Sequence, residues 1–263
     1  MKIYMDLHTH TTASGHGYST LKENIVAAKE RGLSFLGLSE HAPSMPGGPH
    51  SFFFGNYRCI PRQYGDLRLF CGVEANIVDY EGNLDMPEEL LKKMDYVIAS
   101  MHVPCVAPGT QDENTRASIL AMRNPYVKIL GHPDDSRYAL DREAVVLAAK
   151  EEGVAIEINN SSLNPLAARK GGRQNILTLL TLCKRHEVPV LLGSDSHISF
   201  SVGDFEDTFR VLEEVDFPKE LILNTDPANI VRVVNCLHNH LTEGTMRKKP
   251  VEEKRGGLKH EGF

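Results

Sequence analysis

The sequence predicts an α/β fold in which seven parallel strands, each followed by a helix or long loop, close into a barrel with a metal centre at the C-terminal rim of the strands. Three observations carry this expectation. Short apolar runs alternate with stretches of helical periodicity, the pattern of right-handed βαβ units and a parallel sheet. Seven such units in 263 residues suit closure better than an open sheet, and α/β barrels of about 250 residues are routinely one domain. Histidines and acids recur just after the strands, where α/β barrels carry their chemistry.

Residues 2–7 read as a buried strand that ends in His8-Thr9-His10. Alternate strand residues share a face, so the two imidazoles point the same way, an arrangement zinc, iron or manganese can use. Two solvated histidines would explain such a pair equally well; the rest of the chain decides. Residues 9–17 form a polar loop containing His16. A helix at 20–32 starts at Thr20, has Glu23 at capping-box spacing, shows Leu21, Ile25, Val26 and Ala28 at helical spacing, and closes at Gly32. Strand two, 33–39, is followed by Glu40 and His41. Residues 42–61 form a long loop rich in Pro, Gly and aromatics. Loops of that length are usually functional or disordered. Phe52, Phe53 and Phe54 argue against disorder and suit a pocket mouth, a subunit contact or packing under the loop.

Strand three, 67–77, carries Glu74 in an otherwise apolar run. A buried lone carboxylate is costly unless it is paired or metal-bound; an ion pair with a core arginine is the ordinary explanation. A helix at 85–93 leads to strand four, 96–100, and then Met101-His102. A helix at 112–122 precedes strand five, 127–130, and Gly131-His132-Pro133. A helix at 141–152, capped by Asp141 and closed by Gly153, precedes strand six, 154–158. A helix at 174–186 precedes strand seven, 188–192, and Gly193-Ser194-Asp195-Ser196-His197. Beyond lie a helix at 205–214, a short strand at 221–223 and a last helix at 226–236 with Pro227 in its first turn. Residues 1–240 read as one domain. Residues 241–263, rich in Lys, Arg, Glu and Gly, read as a disordered tail.

Composition narrows the function. A hydrophobic fraction of 41% supports a large core. The net charge of -6 disfavours a broad nucleic-acid-binding face. Five cysteines form no C-x-x-C pair, and their odd number, with no signal-peptide pattern, suits reduced thiols in a cytoplasm; Cys105 reads as inert. No apolar run approaches the roughly 18 residues of a membrane span. Of the 12 histidines, seven fall in one set of nine candidate ligands: His8, His10, His16, His41, Glu74, His102, His132, Asp195 and His197. Histidines placed for packing alone would not gather so selectively after strands. Asp6 and Glu40 are candidates to accept N–H bonds from ligand imidazoles, with surface salt bridges as the plain alternative. Asp134, Asp135 or a water are candidates for the leaving-group acid.

The stretches DLHTHT (6–11), LSEHA (38–42), GVEANI (72–77), SMH (100–102), GHP (131–133) and GSDSH (193–197) resemble, in order, those of the PHP (polymerase and histidinol phosphatase) family. The GHGYS and GPHSFFFGN stretches look most like its stand-alone bacterial phosphatase branch, the YcdX-like proteins. The resemblance implies a distorted (β/α)7, TIM-like barrel with three divalent metal ions, usually zinc and sometimes manganese or iron. It implies that His8, His10, Glu74 and Asp195 hold one metal, that Glu74, His102 and His132 hold a second with Glu74 bridging, and that His16, His41 and His197 hold the third.

These readings predict a phosphoric monoester hydrolase in which a metal-bound hydroxide, not a protein side chain, is the nucleophile. An anionic substrate is favoured by the metal charge without an arginine cluster, and a small phosphorylated metabolite is the expected partner. The alternatives are a phosphodiesterase or 3'-5' exonuclease, which the acidic charge disfavours; a non-catalytic metal-binding module, which the full ligand set disfavours; and an amidohydrolase-like carbon–nitrogen hydrolase. The aromatic loop at 52–57 is compatible with a homo-oligomer.

Overall fold

The computed structural model describes residues 1–169 and 171–235. The tail expected at 241–263 and Cys236 lie outside the described residues. The seven apolar runs form parallel strands. Strands β1 (Met5–Asp6), β2 (Phe35–Leu38), β3 (Gln63–Tyr64) and β4 (Leu67–Cys71) make one sheet in the order β1-β2-β4-β3. Strands β5 (Val73–Asn76), β6 (Val97–Ser100), β7 (Val127–Leu130), β8 (Ala155–Asn159) and β9 (Val190–Gly193) make a second, all-parallel sheet in sequence order. Among the described strands only β3 is antiparallel, pairing Tyr64 with Leu67.

The run at 67–77, expected as one strand, is two. It breaks at Gly72, where a Cβ would lie 2.5 Å from the Tyr96 ring; the missing side chain lets that ring pack against the backbone. The break passes the chain from one sheet to the other. Two isolated parallel bridges, Thr9 to Ser196 and His41 to Glu74, join the sheets at both seams. All four bridging residues are candidate ligands or their neighbours.

The helices are α1 (Leu21–Glu30), α2 (Ser51–Gly55), α3 (Glu88–Leu91), α4 (Gln111–Met122), α5 (Arg142–Glu152), α6 (Gly172–His186), α7 (Glu206–Glu214) and α8 (Ile230–Val233). The expected capping box at Thr20 and Glu23 is present, and Thr110 with Glu113 builds the same device on α4. Gly153 closes α5 in the left-handed conformation. The long loop at 42–61 contains α2; Phe54 and Tyr57 are buried there while Phe52 is exposed. The short strand expected at 221–223 is a single bridge, Ile222 to Val190, between 3-10 turns. The expected last helix begins as a 3-10 turn capped by Asp226 and becomes the short α8.

Two apolar clusters result. The larger lies between strands and helices. The smaller takes Met5, Leu7, Phe70, Tyr96, Ile98, Ile129, Ala155 and Leu191 from both sheets and is covered by Leu223, Ile230 and Val233. Buried Asn224 ties β1 to β9 beneath it, donating from Nδ2 to Met5 O and Leu192 O, both at 2.9 Å. The Tyr96 hydroxyl crosses the same cluster and donates to Leu7 O at 2.6 Å. Replacing Tyr96 by Phe is expected to lower stability by about 1 kcal/mol, read as a lower urea midpoint at unchanged slope. An unchanged midpoint would show that the bond contributes nothing.

Candidate metal centre

The polar side chains gather beyond the smaller apolar cluster, where the strands end. Glu74, on β5 and 0% exposed, stands at the centre, and its two oxygens face different partners. Oε2 lies 3.4 Å from His8 Nε2, 3.4 Å from His10 Nε2 and 2.7 Å from His41 Nδ1. Oε1 lies 2.9 Å from His132 Nε2 and 3.3 Å from His102 Nε2. Asp195 Oδ1 approaches His8 Nε2 at 3.5 Å and His10 Nε2 at 3.4 Å. Ligand atoms of His8, His10 and Glu74, of His41, Glu74 and His102, and of His10, His41 and His197 all lie within 4.8 Å of one another. Thus eight of the nine expected residues converge on Glu74 or its immediate neighbours. The ninth, His16, is exposed and stacks on the rings of His41 and His197, with centroids 4.9 and 4.6 Å away. In the expected third group, His10 therefore stands nearer to His41 and His197 than a simple His16–His41–His197 triad implies.

The surrounding hydrogen bonds fix which nitrogen of each ring faces inward. His8 Nδ1 meets Glu157 Oε1 at 2.5 Å; a carboxylate only accepts, so Nδ1 carries the proton. Ser14 Oγ donates to Glu40 Oε2 at 2.5 Å, so it must accept from His10 Nδ1 at 3.1 Å. Asn76 Nδ2 donates to Asp85 Oδ2 at 2.7 Å, which leaves Asn76 Oδ1 to accept from His102 Nδ1 at 2.7 Å. His197 Nδ1 donates to Asp195 O at 3.1 Å. Four rings thus point Nε2 at the centre as a lone-pair donor. Nε2 of His8, His10 and His197, Nδ1 of His41 and Oε2 of Glu74 are buried and make no well-directed hydrogen bond, the 2.7 Å approach of the last two included. Buried polar atoms are rarely left so, and four imidazole nitrogens and one carboxylate oxygen gathered in one place fit a group of divalent cations. Neutral imidazoles and carboxylates are donors that suit zinc, manganese and iron.

The electrostatics agree. Burial alone would raise the Glu74 carboxyl, but the imidazoles of His8, His102 and His41 hold it well below the usual range. Burial likewise opposes charge on His8, yet Glu157, Glu74 and Asp195 outweigh it and raise this imidazole well above its ordinary value. A cation would take the place of that proton. Burial, then the neighbouring His41 and His197, push His10 well below its ordinary value, and burial takes His102 down to about 4.

Several neighbours depart from expectation. Asp6 accepts no imidazole N–H; its carboxylate takes the backbone N–H groups of His8, Ser194 and Gly203 and so staples β1 to the loop after β9. Glu40 acts on His10 only through Ser14. Asp135 is held bidentately by Arg137. Asp134 is fully buried with both oxygens unpartnered, and burial pushes its carboxyl up to about 6. Burial pushes the Cys105 thiol up to about 12, which suits an inert cysteine. Residues the sequence did not single out are Glu157, Asn76 and Arg169, whose guanidinium binds Asp195 Oδ2 at 2.5 Å. The only signals were a charge within the apolar run 154–158 and an asparagine two residues after Glu74.

A PHP domain model matches residues 6–258. The chain belongs to the PHP family. A protein called probable phosphatase in Clostridium novyi is 49% identical over 231 residues, 88% of this chain and 94% of that one. Another so named in Clostridium acetobutylicum is 48% identical over 236 residues, 90% and 96% of the two chains. Among solved structures, histidinol phosphate phosphatase from Lactococcus lactis, crystallised with zinc, L-histidinol and phosphate, matches with TM-score 0.56 at 17% identity over 82% of this chain and 94% of that one. A chain of archaeal ribonuclease P, seen by cryo-EM with mature tRNA, matches with TM-score 0.56 at 15% identity over 96% and 100%. At these identities the structural likeness is one of fold, and this PHP chain shares it.

Proposed function

We propose that this PHP protein is a metal-dependent phosphatase that cleaves phosphoric monoesters of a small metabolite at a centre of three divalent ions, zinc foremost and manganese or iron as alternatives. The observation that carries this reading is that His8, His10, His102 and His197 anchor their Nδ1–H groups outward while Nε2 of His8, His10 and His197 is left buried and unpartnered beside Glu74 and Asp195. The family, and the naming of its close relatives as probable phosphatases, support the reaction class. On this reading the two sheets form one distorted (β/α)7 barrel, with residues 1–240 as a single domain. The bridges at both seams and Asn224 across the β1–β9 gap support that closure. The free thiols among the described residues suit a cytoplasmic setting. No described helix is long and apolar enough to cross a membrane.

His8, His10, Glu74 and Asp195 would hold one ion, Glu74, His102 and His132 a second, and His41 and His197 with His16 a third. When bound, such ions supply Lewis acidity, lower the pKa of a coordinated water and neutralise charge on a phosphoryl group. The protein's part is orientation. Glu157, Ser14, Asn76 and the Asp195 carbonyl hold four rings in one tautomer each, so little rearrangement is needed on binding. Arg169 occupies the outer oxygen of Asp195 and leaves Oδ1 facing His8 and His10. The centre opens on the side of exposed His16 and of His197, which is 26% exposed. His8, His10 and Glu74 are at most 1% exposed, so the substrate enters past His16 and His197.

Elemental analysis together with a panel of phosphate esters tests the reading. Purified protein is expected to carry stoichiometric transition metal and to release phosphate from at least one monoester. A strong chelator is expected to abolish turnover and lower the melting temperature, and added metal to restore both, because an ion that binds only the folded state at about 100 times its Kd adds about 2.7 kcal/mol. Protein without metal, or a melting temperature indifferent to chelation, would overturn it.

A further inference from the structure

Glu157 is a fully buried carboxylate outside the nine expected ligands. It lies on β8 two residues after Ala155 of the smaller cluster and two before Asn159, so all three share a face. Its Oε1 accepts from His8 Nδ1 at 2.5 Å. Its Oε2 accepts from the backbone N–H of His132 at 2.7 Å and from Asn159 Nδ2 at 3.2 Å. Asn159 Nδ2 also reaches Asp195 Oδ2 at 3.2 Å. Two side chains of one strand therefore hold three candidate ligands that arrive from β1, β7 and β9. His132 and Asp195 both have positive φ, 28° and 53°, a region that non-glycine residues enter only where the surroundings impose it. Room for this link is kept by Gly193, where a Cβ would stand 1.9 Å from Glu157 Oε1.

We infer that Glu157 is a positioning residue that couples the two metal positions sharing Glu74: through one oxygen it sets the ring of His8 at the first, and through the other it sets the backbone of His132 at the second. The inference rests on the metal reading proposed above. A carboxylate is required because every group facing it is a donor. The amide of glutamine has one acceptor and one donor end, so it can serve His8 or His132 but must set an N–H against the other. Loss of Glu157 therefore disturbs both positions at once, whereas loss of a ligand such as His102 touches one.

Glu157→Gln tests this in the full-length protein. The expected result is a folded protein whose zinc affinity, measured by competition with a chromophoric chelator, is weaker by about 10–100-fold at two positions and unchanged at the third. Its kcat is expected to fall more than its KM, with partial recovery in excess zinc. The downfield His8 Nδ1–H resonance of the wild-type protein should move upfield. Glu157→Asp keeps the charge but cannot span both donors; it is expected to weaken at least one position. Asn159→Ala, which removes the amide shared by Glu157 and Asp195, carries the same zinc titration should Glu157→Gln not fold, with weakening expected at the first position. Wild-type zinc stoichiometry and affinity in a folded Glu157→Gln protein, with only a lowered melting temperature, would overturn the inference and leave a purely structural role. Failure of the wild-type protein itself to bind zinc would overturn the metal reading, a distinct outcome.

Discussion

Replacing His10 by alanine is expected to abolish phosphate-ester hydrolysis while leaving the far-ultraviolet circular dichroism unchanged. His10 touches both acids and three other imidazoles at the centre. Its Nε2 lies 3.4 Å from both Glu74 and Asp195, and its ring stacks on His41 and His197 with centroids 4.3 Å away in each case. On the proposed reading, removing it takes a donor from the first metal position and the packing surface from two further imidazoles. The loss should exceed the roughly 10–100-fold that removing a group outside the ligand shell costs. The fold should survive because His10 contributes no apolar surface to either core cluster, and its nitrogen is an uncompensated polar atom unless a cation meets it. Wild-type turnover at saturating substrate would show that His10 has no part in the chemistry.

Glu74→Gln is expected to lower metal content by up to two ions per chain. The argument is the division of its oxygens: Oε2 toward His8, His10 and His41, Oε1 toward His102 and His132. An amide keeps the shape, but its nitrogen cannot ligate and would direct an N–H at one of the two imidazole groups. It also removes the one negative charge that faces five imidazoles. Metal analysis after exhaustive dialysis reads the result directly; unchanged stoichiometry would contradict a bridging role. The two substitutions separate two ideas. His10→Ala asks whether the first position takes part in catalysis, and Glu74→Gln asks whether two positions share one carboxylate.

The ligand candidates were legible because their signal is local. An imidazole or acid immediately after an apolar run is visible in a string of letters, and so are the Thr20–Glu23 capping box, the Asp141 cap and the Gly153 closure, each confined to one turn of chain. Glu157 was not legible: within AIEIN it looks like a polar interruption of a buried strand, and alternation reports which face a residue takes but not what meets it there. Arg169 lies in an irregular loop with no periodicity to mark it. The split at Gly72 was hidden because the reason for it, the Tyr96 ring, lies 24 residues further on. The partners of Asp6 were not legible either, because two of the three backbone N–H groups it accepts from, those of Ser194 and Gly203, lie almost 200 residues away.

The primary structure alone determined that six of the seven expected strands carry imidazoles or one of two acids at or near their ends, because periodicity and caps are set by neighbours in the chain. Tertiary structure alone decided which nitrogen of each imidazole faces inward, that Glu74 divides its oxygens between two groups, and that Glu157 joins His8 to His132. Some of these bonds are local, His10 to Ser14 and His197 to Asp195, but His8 to Glu157, His102 to Asn76 and His132 to Glu157 join residues 25 to 149 positions apart, and all of them depend on packing that brings donor and acceptor within about 3 Å.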